Sequence, residues 1–166
     1  MGFPLLVDRL ALTAFAGLLV WAAWSDLRDY IIPNRISIAI AALYPAHILA
    51  TGNIHILPGA LIMAAVVFAV GFAFFALRIA GGGDVKLMTA AALWAGQPQI
   101  IEFLFVTALS GGVLAAFLAI RAWRENAVCT PEGSLVLRIG AIRDTKVPYG
   151  AAIAGGGLYV VAGSLV

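Results

Sequence analysis

Apolar residues run through this chain in long blocks, and short polar breaks between them carry most of its charge. Five apolar runs, at about 4–24, 35–51, 57–78, 99–121 and 147–166, approach the ~20 residues an α-helix needs to cross a bilayer core. A sixth, from Asp84 to Ala95, is shorter: about 12 residues rise only about 18 Å as a helix. With Gly96 after it and glycines 81–83 before it, it suits a thinned or protein-lined stretch of membrane. The pattern predicts an all-α integral membrane protein, a six-transmembrane-helix bundle with a short fourth helix, as a single domain over 1–166. The first run lacks a basic start and a small-residue cleavage site ahead of a polar region, so it reads as a permanent span. The segment from about 122 to 146 is the only sizeable polar one and reads as a connecting loop. Within it, SLVLRIGAIR alternates loosely, which fits a short strand or an interfacial helix equally well.

Composition agrees with a membrane class: 63% of the 166 residues are hydrophobic, 11% are charged, and mean hydropathy is +1.05. A net charge of +2 gives no reason to expect a nucleic-acid partner. Nine of the ten Lys and Arg residues fall in the first, third and fifth connections, leaving only Arg9 near the N-terminal end. By the positive-inside rule those connections are cytoplasmic and both termini lie outside. Cys129 is the only cysteine, so neither an internal disulfide nor a CxxC metal site is available. His47 and His55 have no acidic residue between them, and no metal or other cofactor is expected.

The acids near the spans are Asp8, Asp26, Asp29, Asp84 and Glu102. Asp26 follows the first run and Asp84 opens the fourth, so the topology puts both in the cytoplasmic leaflet. Ionisable groups at membrane depth are functional candidates by default. Each Asp also has a plain reading, as a solvated helix end or, for Asp84, as an N-cap. Two close carboxylates at a poorly solvated site share a proton; one can activate water while the other donates to a carbonyl oxygen. That is peptide hydrolysis without metal or covalent intermediate. The glycines 81–83 would let the backbone bend there, and could accept an extended peptide by backbone pairing. A proton or cation relay that includes Glu102, and a structural subunit of a secretion complex, are the competing readings.

GGGD at 81–84 reads as Gly-x-Gly-Asp, and DLRDYIIPN at 26–34 places Asp26 before an Ile-Pro-Asn turn. With GDVKL and VPYGAAIAGG, these stretches resemble the type IV prepilin peptidases, a family of intramembrane aspartyl proteases. The resemblance implies that Asp26 and Asp84 are catalytic, with Asp29 the rival for the first position. It implies that Gly81, Gly83, Pro33, Asn34 and Lys86 lie in the motifs near the substrate. Pro33 and Asn34 also suit a turn and N-cap for the second helix. Lys86 follows Asp84 by two residues, about 200° around a helix, and is expected to reach the cytoplasmic interface instead of pairing with it. Longer family members carry a cytoplasmic domain with paired CxxC motifs and methylate the new pilin N-terminus. The first connection here is about ten residues, so no methyltransferase activity is expected. The chain is similar to the small peptidase-only branch associated with tight-adherence (Flp) pili. That implies a bacterial inner-membrane enzyme, and a prepilin or pseudopilin substrate whose short basic cytoplasmic leader is cut after a glycine.

Overall fold

The computed structural model describes residues 2–129 and 147–165. Five helices build it: α1 (Phe3–Asp29), α2 (Asn34–Thr51), α3 (Leu57–Ala76), α4 (Gly82–Cys129) and α5 (Tyr149–Leu165), with a 3-10 turn Ile54–Ile56 ahead of α3. Most of the expected 122–146 connection, including SLVLRIGAIR, lies outside the described residues. Where it is described, the expectation of a loop fails, because α4 stays helical to Cys129.

The long α4 is broken at Gly96, where φ is 54° and ψ is −165°. Glycine takes this left-handed value without the Cβ penalty. Pro98 follows and withholds an N–H from the helix ladder. The break divides α4 into arms 82–95 and 97–129, and the second arm folds back on the first. Asp84 and Met88 therefore share a groove with Leu104, Thr107 and Gly111. The neighbours agree: Gly71 of α3 faces Val85 and Phe75 faces Gly82, while Gln99 meets Gly163 of α5 and Gly111 meets Ala152. Helical segments overlap each of the six apolar runs read from the sequence.

Three helices are long and apolar enough to cross a membrane: Phe3–Asp29, Ile54–Ala76 and Gly82–Arg124. Tyr149–Leu165 is apolar but shorter. Their outer faces carry large exposed apolar side chains such as Leu10, Val20, Phe72, Phe105 and Phe117, which suit lipid and not water. The core is built on Phe15, Leu19, Ile36, Ile40, Leu87 and Phe103, all fully enclosed. Trp94 ties three helices together. Its ring stacks on Phe15 with centroids 4.3 Å apart, and its Nε1 donates to the Ile40 carbonyl at 2.9 Å. The bundle has two ends. One gathers Asp26, the 30–33 turn, the start of α4 and the start of α5; the other gathers Asp8, His47, Gly96 and Ser164.

Candidate active site

Asp26 lies in the last turn of α1, just before the helix stops at a left-handed Tyr30 (φ 53°), whose N–H returns to the Asp26 carbonyl at 3.0 Å. The Ser25 hydroxyl donates to the Ile31 carbonyl at 2.7 Å and pins the turn that follows. Pro33, extended at φ −61° and ψ 131°, is the residue that caps α2, and Asn34 is already helical. The expected N-cap role of Asn34 is therefore corrected: its Oδ1 instead accepts from Lys86 Nζ at 2.9 Å. This bond points Lys86 toward α2, consistent with its place around the helix from Asp84.

The Asp26 side chain is buried, at 6% exposure. Its Oδ2 accepts the Gly150 N–H at 2.6 Å, while the Ala151 N–H turns to the Pro148 carbonyl at 3.3 Å. Asp29 points outward. It pairs with Arg28 at 4.0 Å with both side chains more than half exposed, an arrangement of little energetic consequence.

On the other side of the site, α3 ends in a Schellman motif. Arg78 takes the left-handed position (φ 59°), Arg78 N–H reaches the Phe75 carbonyl at 2.9 Å, and Ile79 N–H reaches Phe74 at 2.9 Å. The bend expected of the glycines is thus made by Arg78, and none of Gly81, Gly82 or Gly83 has positive φ. Gly82 and Gly83 are helical, so they do not form the open loop that peptide pairing would need. What they allow is close approach. A Cβ on Gly83 would lie 3.2 Å from Ile32 Cβ, and one on Gly81 would lie 2.8 Å from Asp84 Oδ2. Asp84 is not the N-cap either. It is the third residue of α4, and its carboxylate reaches back to the Gly81 N–H, one half of a capping box.

Both carboxylates face the same place. Asp84 feels the charge of Asp26. Ile32 stands between Gly83 and Gly150, so the turns bearing each aspartate touch one side chain. Asp84 opens onto an apolar groove of about 420 Å³ that Phe74, Met88, Leu104, Tyr149 and Ile153 help to line. The arrangement brings two acids to one end of the bundle, with Asp84 at the edge of an apolar groove.

The remaining candidates lie elsewhere. His47 Nδ1 is 2.6 Å from Asp8 Oδ1 at the opposite end, and His55 shares a cavity of about 640 Å³ with it. Among the described residues no three His, Cys, Asp or Glu side chains are grouped to hold a metal. Glu102 is exposed on the second arm of α4, three residues past Gln99 and so near the histidine end. Sequence reasoning missed two partners, Gly150 for Asp26 and Asp8 for His47. For Gly150, the signal was a Pro-Tyr-Gly opening an apolar helix, where free N–H groups gather.

Fold and site together define a helical membrane protein with two aspartates at one end of the bundle. The model of the type IV leader peptidase family matches residues 13–116, well over half of the chain. The protein belongs to that family, and is a peptidase by class. The matched span holds Asp26, Asp84 and the glycines between them, and stops short of α5. No curated protein and no solved structure matches the chain.

Proposed function

We propose that this protein is a membrane aspartyl endopeptidase that removes the short basic leader of type IV or Flp-type prepilins after a glycine. The observation that carries the reading is the convergence of Asp26 and Asp84, from two helices, within the span matched to the peptidase family. One aspartate, ionised, takes a proton from water as that water attacks the scissile carbonyl carbon. The other, protonated, donates toward the carbonyl oxygen. As the C–N bond breaks, the proton held by the first passes to the leaving amine. The apolar groove beside Asp84 suits the hydrophobic segment that follows the cut.

Orientation follows from charge. Among the described residues, Arg28, Arg35, Arg78 and Lys86 cluster around the aspartate end, while Arg9 lies toward the other. This supports six crossings of the bacterial inner membrane, both termini outside, and an active site open to the cytoplasm where a leader would lie. The short 30–33 link leaves no room there for the domain of the methylating enzymes, so cleavage without methyl transfer is expected.

The test is cleavage of a prepilin by purified protein in detergent. Wild type and D29N should cut, and D26N and D84N should not. A bell-shaped pH profile should accompany it, since activity needs one proton on the pair and fails with two or none. Activity in all three variants would discard the mechanism, and a dead D29N with an active D26N would move the first aspartate.

A further inference from the structure

We propose that the first turn of α5 is a third part of the catalytic centre, and that Gly150 is the positioning residue for Asp26. This rests on the endopeptidase reading above and deepens it. The Gly150 N–H donates to Asp26 Oδ2 at 2.6 Å. This amide belongs to the opening turn of α5, where the first N–H groups lack partners within the helix and can point at whatever faces its end. A carboxylate there also meets the positive end of the helix dipole. A backbone donor fixed in a helix cannot rotate away, so it sets the place of the Asp26 carboxyl group.

The same contact explains why position 150 carries no side chain. A Cβ there would lie 2.9 Å from Asp26 Oδ2, 3.0 Å from Asp26 Cβ and 2.8 Å from Ile32 Cδ1. Ile32 is in turn the side chain on which Gly83 packs, next to Asp84. Gly150 therefore touches the turn that follows Asp26. The matched family span ends at residue 116, whereas α5 begins at Tyr149. A glycine needed only for packing would affect stability. A glycine whose N–H aims a catalytic acid must affect turnover.

The experiment compares prepilin cleavage by wild type, D26N, G17A, G150A and an enzyme carrying glycolic acid in place of Gly150. The last change turns one amide into an ester: it deletes the N–H and adds no side chain, so it remains informative if G150A folds poorly. G17A is the control, because nothing lies within 4 Å of its added Cβ. Misplacing a reacting group by about 1 Å costs roughly 100-fold, so G150A is expected to lose about that much. The ester variant should lose at least about tenfold in kcat with KM held within about twofold and the melting temperature kept. Wild-type kcat in the ester variant, or a loss seen only as a lower melting temperature, overturns the proposal. The two readings fail separately. An active D26N defeats the endopeptidase mechanism itself, whereas a dead D26N beside a fully active ester variant defeats only the role of Gly150.

Discussion

Three glycines precede Asp84, and the structure says they are not equivalent. A Cβ added to Gly81 would stand 2.8 Å from Asp84 Oδ2, and one on Gly83 would stand 3.2 Å from Ile32 Cβ and 3.5 Å from the Ile32 carbonyl oxygen. The first presses on the Asp84 carboxylate, and the second presses on Ile32 in the turn that follows Asp26. A Cβ on Gly82 meets only Phe75 Cε2, at 3.3 Å, the far end of a ring that is itself 47% exposed and free to swing. Relief at 81 and 83 needs the acids to part by a few tenths of an ångström. If 1 Å costs about 100-fold, about half of that costs near tenfold, or about 1.4 kcal/mol in the barrier.

G81A and G83A should therefore lower kcat about tenfold, while G82A stays within about threefold of wild type. Stability should move the other way at the helical positions. Ala is preferred over Gly in a helix by up to about 1 kcal/mol, so G82A should melt at or above wild type. The assay is prepilin cleavage under saturating substrate, with melting measured on the same samples. Equal losses at all three positions, or full activity in G81A, would refute the argument, because helix flexibility and not close approach would then explain the motif.

Other consequences can be checked with the same materials. The Asp8–His47 bond lies at the far end of the bundle and joins α1 to α2, so D8N or H47A should leave kcat unchanged. Losing a hydrogen bond to a charged group of about 1.5–3 kcal/mol should lower the melting temperature by roughly 3–10 °C, and a normal melt would show that the pair does not hold the helices. Gly112 lines the groove beside Asp84 and has nothing within 4 Å of an added Cβ, so G112L should fill the groove without disturbing the fold. It should raise KM for prepilin by about tenfold or more with the melting temperature kept, and an unchanged KM would place the substrate elsewhere.

What was legible in the sequence was what local pattern encodes. Apolar runs located the helical segments, and the end of the short fourth run fell at Gly96, where the structure breaks α4. Asp26 and Asp84 stood out because carboxylates are rare among apolar neighbours, and it was the family resemblance that preferred Asp26 to Asp29, which the structure leaves exposed. The glycines misled because the residue that ends a helix in the left-handed region is usually glycine; here Arg78 takes that position three residues earlier. Asp84 misled because an aspartate before an apolar run suggests an N-cap, whereas α4 starts two residues sooner and turns it into the back-reaching member of the cap.

Contacts across the bundle were hidden for a different reason. Equal steps from the 30–33 turn would set Asp8 opposite His55, yet it meets His47, whose ring lies 5.2 Å from Trp94 of α4. A third helix thus takes part in the contact between α1 and α2, and neither sequence stretch mentions it. Asp26 makes the point more sharply, since its partner is a backbone N–H 124 residues away. Every residue but proline has such a group, so no residue type marks the one that is used. Its only trace in the sequence is the requirement for no side chain at position 150. In a chain of 18 glycines, many placed for other reasons, that trace becomes readable only when the added Cβ is seen to collide with the carboxylate.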